Sequence, residues 1–155
     1  MDEIEENLYL GSILGAQDTT RLFEEQFTHV LTIRAVPIPQ QHQLERINYK
    51  FIEAVDVEET ELFDTGIIED AVGFIEEALD CCEGKILVHC DYGMSRSATL
   101  VAAYLMKKYS LSSQQALARV KQRRFVRPNS SFLKQLEQYQ ALGGTLETMT
   151  STSSS

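Results

Sequence analysis

The chain has 155 residues, of which 43% are hydrophobic and 24% charged, and its formal net charge is −9. This length and composition are typical of one globular domain, and the chain contains no apolar run of membrane-spanning length. The net negative charge argues against nucleic acid as a partner, and three cysteines are too few for a disulfide framework, so we expect a cytoplasmic or nuclear protein without nucleic-acid or membrane partners.

Four short strands are predicted along the chain. Residues 8–10, 29–33 and 49–55 are rich in apolar and β-branched side chains, as strands are. Residues 86–88 are apolar at every position, which is typical of a strand that is buried on both faces. Between the second and third strands, residues 35–43 contain two prolines and are predicted to be a loop.

Helices are predicted between and after these strands. A short one is expected near residues 19–27, and a longer one carries apolar residues at helical spacing over residues 67–79. A third begins at Arg96, a fourth lies near residues 112–123, and a fifth ends at Gly143 and Gly144. The predicted caps are Thr19 or Thr20, Asp64 or Thr65, Ser112 or Ser113, and Asn129 or Ser130.

This alternation predicts an α/β sandwich with a central, mostly parallel sheet of about 4–5 strands and helices on both faces. Residues 1–144 are expected to form the domain. Residues 145–155, TLETMTSTSSS, are of low complexity and are predicted to be a disordered Ser/Thr-rich tail.

Residues 85–98, KILVHCDYGMSRSA, contain the candidate active site. They run from the buried strand through a loop with Gly93 into the helix that begins at Arg96. A strand, a glycine-bearing loop and a helix N-terminus favour anion binding, because backbone N–H groups point inward and the helix dipole attracts negative charge. Cys90 lies at the mouth of this predicted site and Arg96 at its far end.

These residue types predict nucleophilic attack on a phosphate ester. A helix N-terminus and a neighbouring arginine both favour the thiolate form of Cys90, and Arg96 offers a planar fork of donors for phosphate oxygens. Attack of sulfur on phosphorus would give a phosphocysteine. The loop residues between them are predicted to bind substrate: Asp91, Tyr92, Gly93, Met94 and Ser95. We expect no metal and no other cofactor.

Proton transfer is assigned to the acidic segment after the third strand. Asp56 is the predicted general acid, and afterwards the base for the hydrolytic water. Glu58 and Asp64 are rivals in the same segment, and each of the three could instead be a solvated acid or a helix cap. Ser97 could bond the sulfur and help the thiolate leave, or satisfy backbone donors of the first helical turn.

The other histidine and cysteine near this motif have more modest expected roles. His89 is predicted to be structural, bonding backbone near Cys90 and orienting it. A redox disulfide between Cys82 and Cys90 is a further alternative, although Cys81 and Cys82 read best as half-buried helix residues.

The segment HCDYGMSRSAT, residues 89–99, resembles the signature of the cysteine-based dual-specificity protein phosphatases. NLYLGS, THVLTI and PNSSFLKQL resemble further landmarks of that family, and the likeness covers most of residues 4–142. It implies the phosphatase α/β sandwich, with a shallow cleft open to phosphotyrosine, phosphoserine and phosphothreonine. It also implies roles for six residues: Cys90 as nucleophile, Arg96 as phosphate ligand, Asp56 as general acid, Ser97 assisting thiolate departure, Asn129 bracing the signature loop and Arg124 contacting a second phosphate.

With three residues before Ile4, the chain resembles a small, atypical member of that family without a docking domain, and we expect a monomer acting on phosphorylated proteins. Arg34 departs from the family pattern, which usually has a smaller polar residue at the end of that strand. A basic run at residues 119–127 favours a polyanionic substrate, although it could equally be a solvated helix end.

Two alternatives remain open. A phosphoinositide or RNA phosphatase would share the mechanism, but a signature loop with one acid and no lysine argues against a polyanionic substrate. A non-catalytic phosphoprotein-binding module would bind phosphate without turnover. Such modules usually lack the cysteine, the arginine or the acid, and all three are present here.

Overall fold

The computed structural model describes the backbone of residues 1–154 and the side chains of residues 1–143. The strands are β1 (Asp2–Glu5), β2 (Leu8–Gly11), β3 (His29–Arg34), β4 (Asn48–Glu53) and β5 (Ile86–His89). The helices are α1 (Ile13–Gln17), α2 (Thr19–Glu24), α3 (Ile67–Asp80), α4 (Arg96–Tyr109), α5 (Ser113–Lys121) and α6 (Ser130–Ser154), and a 3₁₀ turn covers Gln40–His42.

The five strands form one sheet in the order β1-β2-β5-β3-β4. β2, β5, β3 and β4 run parallel to their neighbours, and β1 alone is antiparallel, paired with β2 at the edge. The predicted mostly parallel sheet is therefore confirmed. β1 was not predicted, because its sequence DEIE is acidic and only Ile4 is buried. An edge strand of this kind is held by backbone pairing more than by side-chain burial.

The two faces of β5 contact two different hydrophobic cores. Ile86 and Val88 face the larger core, which includes buried residues of α3, α4, α5 and α6. Leu87 faces the smaller core with Ala16 and Leu22 of α1 and α2. Because successive strand side chains point to opposite faces, a fully apolar strand needs helices on both sides of the sheet, as predicted.

Helix α4 lies inside the larger core, and its residues 96–106 are all buried. It begins six residues after Cys90, which itself directly follows β5. The packing of α4 therefore fixes its N-terminus at the carboxyl edge of the parallel strands, where folds of this class bind ligands.

Two predicted helix caps were wrong. Asp18, rather than Thr19 or Thr20, caps α2, and its carboxylate accepts a hydrogen bond from the Arg21 N–H. Gly66, in the left-handed conformation, precedes α3 without a side-chain cap, while the Thr65 hydroxyl bonds the Glu61 carbonyl. Sequence alone did not resolve these ends, because neighbouring residues compete for the same cap position.

The predicted cap at Ser112 is present, in a capping box with Gln115. The short helix α1, which is capped by Ser12, was not predicted.

Helix α6 continues past Gly143 and Gly144, where the sequence predicted its end. A glycine in a helix costs about 1 kcal/mol relative to alanine, which weakens a helix without forbidding it. The predicted tail at residues 145–155 lies outside the part of the chain whose side chains are described, so its disorder stays a prediction. Within residues 1–154, no helix combines the length and the apolar character needed to cross a bilayer.

Candidate active site

The sulfur of Cys90 lies inside the loop between β5 and α4. Cys90 is 2% exposed, and its Sγ lies 3.0 Å from the Ser97 hydroxyl and 3.3 Å from the Gly93 nitrogen, whose N–H donates to it. The predicted nucleophile and the predicted serine partner are therefore in direct contact.

Gly93 lets the loop adopt a left-handed conformation and pass close to Gly11 and Arg124. Its φ is +69°, and an added Cβ would lie 2.5 Å from the Gly11 carbonyl oxygen and 2.7 Å from Nη2 of Arg124. Both the left-handed conformation and the close approach exclude a side chain here. The glycine thus brings its own N–H toward the Cys90 sulfur.

Ser95 leaves the N-terminus of α4 uncapped by a side chain. Although it stands at the cap position, its hydroxyl donates to Oδ1 of Asp56 at 2.7 Å and makes no hydrogen bond to the first turn. The N–H groups of that turn remain for a bound anion, which the helix dipole also favours.

The guanidinium of Arg96 is buried, and two of its three nitrogens bond groups of this chain. Nη1 donates to the Ala54 carbonyl at 2.9 Å, and Nη2 donates to Oδ2 of Asp91 at 2.8 Å. Among the described residues, Nε has no hydrogen-bond partner, and Arg96 is only 6% exposed. A buried unpaired N–H is costly, so this arrangement is suited to an anion that would accept from it.

Asp56 lies beside the loop, three residues beyond β4. Its Oδ1 accepts from Ser95 and, at 2.9 Å, from Nδ2 of Asn129. Asn129 also accepts from the Phe132 N–H at the start of α6, so it connects that helix to the predicted acid. The rival Glu58 contacts Ser130 instead.

Gln135 of α6 holds the segment that follows Asp56, a role that the sequence analysis missed. Its Oε1 accepts from the N–H groups of Leu62 and Phe63, at 2.6 and 2.9 Å, and its Nε2 donates to the Thr60 carbonyl at 2.9 Å. Gln135 is 4% exposed. The available signal was a glutamine at helical spacing among the apolar residues 132, 136 and 139, because a buried polar side chain needs partners.

His89 supports the loop from within the sheet, where it is fully buried. Nδ1 lies 3.1 Å from the Cys90 carbonyl, and Nε2 lies 2.7 Å from the Thr32 hydroxyl. Since a carbonyl only accepts, Nδ1 carries the proton and Nε2 accepts from Thr32. Burial lowers the pKa of His89 to about 4, so the imidazole is neutral at physiological pH.

The outer side of the loop is held by Arg124. Its Nε donates to the Gly93 carbonyl, its Nη2 to the Tyr92 carbonyl and its Nη1 to Asp2, at 3.0, 2.9 and 2.8 Å. All three nitrogens thus bond groups of this chain. The predicted contact of Arg124 with a second phosphate stays a prediction.

Two further residues of the loop, Met94 and Tyr92, differ in their surroundings. The Met94 carbonyl accepts from the Arg127 N–H at 2.7 Å, and the Tyr92 side chain is 75% exposed. The Tyr92 side chain is therefore open to solvent beside the loop.

Asp91 connects two arginines. Its Oδ1 accepts from Nε of Arg34 at 2.7 Å, and its Oδ2 accepts from Arg96. Burial raises the pKa of Asp91, but the hydrogen bonds from Arg96 and Arg34 outweigh it and hold this pKa below its usual value. The single acid of the loop is therefore paired with Arg34, which lies outside the loop, in β3.

The remaining cysteines lie at the opposite end of β5. Cys81 and Cys82 follow the last residue of α3 and are exposed, so their prediction as half-buried helix residues was wrong. Both precede the strand, whereas Cys90 follows it. A strand of four residues spans roughly 13 Å, which exceeds the ~7 Å limit between Cα atoms of a disulfide. The geometry of this structure thus excludes the Cys82–Cys90 disulfide. Among the described residues, no group of three or more His, Cys, Asp and Glu side chains is placed to hold a metal ion.

Comparison with known proteins identifies the domain. Residues 8–141 match the family model described as "Dual specificity phosphatase, catalytic domain". The chain is 39% identical over 144 residues to dual specificity protein phosphatase 1B of Arabidopsis thaliana, covering 90% of this chain and 81% of the relative. It is 38% identical over 146 residues to dual specificity protein phosphatase MPK-4 of Drosophila melanogaster, covering 92% of this chain but 37% of that relative.

The fold agrees with solved structures. The crystal structure of the human tyrosine phosphatase-like serine/threonine/tyrosine-interacting protein matches with a TM-score of 0.82 and 30% identity, over 92% of this chain and 96% of the other. The family and the fold that the sequence predicted are confirmed by these matches, and so is the class of enzyme, a phosphatase.

Proposed function

The chain belongs to the dual specificity phosphatase family, and from this we propose that it hydrolyses phosphate esters of tyrosine, serine and threonine in proteins through a phosphocysteine intermediate. The observation that carries the proposal is the loop between β5 and α4. It combines a buried sulfur hydrogen-bonded by Gly93 and Ser97 with a buried Arg96 whose Nε is unpaired among the described residues.

In the first step, Sγ of Cys90 attacks phosphorus as the bond to the ester oxygen breaks. The leaving oxygen takes a proton from the carboxyl group of Asp56. The loop N–H groups and Arg96 stabilise the phosphoryl oxygens, which carry the charge of the transition state. The products of this step are the dephosphorylated side chain and phosphocysteine.

In the second step, water attacks the phosphocysteine and Asp56 takes the proton of that water. The phosphorus–sulfur bond breaks, inorganic phosphate leaves, and Cys90 is restored as a thiolate. Ser97 supports this step, because a hydroxyl 3.0 Å from the sulfur can donate to the developing negative charge. A free thiolate requires a reducing compartment, and we propose the cytoplasm or the nucleus.

The proposed substrates are phosphorylated proteins. The named relatives from Arabidopsis and Drosophila are dual specificity protein phosphatases, which supports both tyrosine and serine/threonine esters. The exposure of Asp56 and Tyr92 beside the loop supports access by side chains of a macromolecule.

The test is hydrolysis of a small aryl phosphate in the presence of EDTA, with Cys90→Ser and Asp56→Ala measured beside the wild type. We expect turnover by the wild type and none by Cys90→Ser. Asp56→Ala should lose about 10²–10⁴-fold in kcat, most with a poor leaving group, because general acid catalysis matters most there.

A matched control is Asp70→Asn, which changes an exposed carboxylate of α3 that pairs with Lys50 away from the loop. We expect its kcat to equal that of the wild type. A wild-type protein that binds phosphate without turnover would refute the catalytic proposal and leave a phosphoprotein-binding module as the function.

A further inference from the structure

A chain of charged side chains extends from β3 into the phosphate loop. Arg34 donates to Oδ1 of Asp91, and Arg96 donates to Oδ2, at 2.7 and 2.8 Å. The side chains of Arg34, Asp91 and Arg96 are 18%, 33% and 7% exposed, so all three are at least partly buried. Charge-assisted hydrogen bonds in a partly buried place are stronger and less screened than those on an open surface.

Two contacts determine the orientation of the Arg96 guanidinium. Nη1 is held by the Ala54 carbonyl and Nη2 by Asp91. A guanidinium is planar and rigid, so fixing two of its nitrogens also fixes the third. The third nitrogen is Nε, the donor that is buried and unpaired among the described residues.

Asp91 alone would be unfavourable here, because a carboxylate next to an anion site repels the anion. Arg34 offsets that charge and occupies the Oδ1 atom that Arg96 does not use. With Arg34 present, Asp91 can hold Arg96 while the three side chains together carry a formal charge of +1.

We propose that Asp91 and Arg34 are positioning residues for the phosphatase reaction: Arg34 holds Asp91, and Asp91 holds Arg96 with its Nε directed to the phosphoryl group. This inference rests on the proposed function and adds two residues to it. Since orientation matters most in the transition state, their removal lowers kcat more than it weakens phosphate binding.

The kinetic test compares Asp91→Asn, Arg34→Gln and the double variant on an aryl phosphate, with inorganic phosphate as a competitive inhibitor. We expect Asp91→Asn to lower kcat about 10-fold, because even small misplacements of a catalytic group are costly. The inhibition constant of phosphate should change less than about threefold, because the lost orientation and the lost negative charge act in opposite directions on binding.

The double variant tests whether the two residues act as one chain. Arg34→Gln alone should lower kcat about threefold, and it should cause no further loss in the Asp91→Asn background, since residues acting through one another are not additive. Losses that multiply, or a kcat of Asp91→Asn within about twofold of the wild type, would overturn the proposal.

Matched controls come from two ion pairs that lie outside the loop. Asp70→Asn removes the same charge from the pair with Lys50, and Arg21→Gln removes a guanidinium from the pair with Glu25. Both variants should keep the wild-type kcat and phosphate inhibition.

A measurement that needs no turnover separates this inference from the proposed function. In ¹⁵N-correlated NMR spectra, assigned with Arg96→Lys, the Nε–H signal of Arg96 should be sharp in the wild type and in Asp70→Asn. In Asp91→Asn it should broaden or exchange rapidly with water. An unchanged signal in Asp91→Asn would overturn the positioning role even if the wild type proved inactive, whereas inactivity alone would overturn only the catalytic proposal.

Discussion

At the scale of single residues, His89 shows how burial determines a protonation state. Its Nδ1 bonds the Cys90 carbonyl and its Nε2 bonds the Thr32 hydroxyl. Its pKa of about 4 is below the usual value of 6.5, because burial penalises the charged imidazolium. The proton on Nδ1 is therefore part of the loop's support and is not available for acid catalysis.

This pKa predicts a loss of stability on acidification. Between pH 6.5 and 4 the unfolded chain binds a proton at His89 that the folded chain does not, so stability falls as pH falls. At 1.36 kcal/mol per pKa unit, the loss amounts to about 3 kcal/mol by pH 4. His29, whose pKa is also lowered by burial, adds to the same slope.

Urea unfolding at several pH values measures this effect in the wild type, His89→Gln and His42→Gln. Between pH 6.5 and 4, the free energy of unfolding should depend less steeply on pH in His89→Gln than in the wild type. In His42→Gln this dependence should be unchanged, because His42 is exposed. An undiminished slope in His89→Gln would assign the effect to other groups.

At the scale of elements, Gln135 couples α6 to the segment that follows Asp56. Two backbone N–H groups, of Leu62 and Phe63, bond its side-chain oxygen. That segment is otherwise acidic and irregular, so a helix that is packed in the core gives it a fixed position. The predicted acid thus depends on a helix more than 70 residues later in the chain.

Gln135→Met should therefore reduce both stability and catalysis. We expect a loss of about 2–4 kcal/mol in the free energy of unfolding, because two N–H groups lose their buried acceptor. The kcat for a poor leaving group should fall more than that for a good one, because the position of Asp56 becomes less defined.

The matched control is Gln138→Met, which makes the same exchange on the exposed side of α6. It should change stability by less than about 0.5 kcal/mol and leave the leaving-group dependence unaltered. Equal effects of the two substitutions would show that Gln135 does not hold the acid segment.

At the scale of the whole molecule, β5 lies between the two hydrophobic cores, and the predicted nucleophile Cys90 directly follows it. Leu87 packs into the smaller core, while Ile86 and Val88 on either side pack into the larger one. Neither core can lose its packing without disturbing this strand. We therefore expect the domain to unfold as one cooperative unit.

The measurement is urea unfolding, monitored by far-UV circular dichroism and by tyrosine fluorescence, since the chain has six tyrosines and no tryptophan. The two transitions should coincide. Leu87→Ala should lower the free energy of unfolding obtained from each of them by about 2–5 kcal/mol. Leu14→Ala, the same exchange at a 73% exposed position, should cost less than about 0.5 kcal/mol. Separate transitions in Leu87→Ala would show that the two cores unfold independently.

Features that depend on neighbouring residues could be predicted from the sequence, whereas contacts between residues far apart in the chain could not. The strand, loop and helix of residues 85–98 were predictable because their residues are contiguous and their periodicity is local. The pairs Arg34–Asp91 and Leu62–Gln135 were not, since 57 and 73 residues separate their members. The edge strand β1 was missed for a related reason, because it is held by pairing with β2 rather than by an apolar pattern of its own.

Distant contacts also change the charge expected at the loop. The loop sequence contains one acid, Asp91, and no lysine, which disfavours a polyanionic substrate, yet Arg34 of β3 pairs with that acid. The role of Arg124 was predicted from the family resemblance alone, whereas its contacts with Gly93, Tyr92 and Asp2 depend on how α5 packs beside the loop.

The α/β class, the parallel strands and the family of the phosphate loop follow from the amino-acid sequence, because apolar periodicity and a contiguous motif depend on neighbouring residues. Three other features depend on the packing of the folded chain: which nitrogens of Arg96 are bonded, which helix supports the Asp56 segment, and which cation neutralises Asp91. These features arise where packed elements bring together side chains from distant parts of the chain, and their hydrogen-bond partners are defined only by that packing.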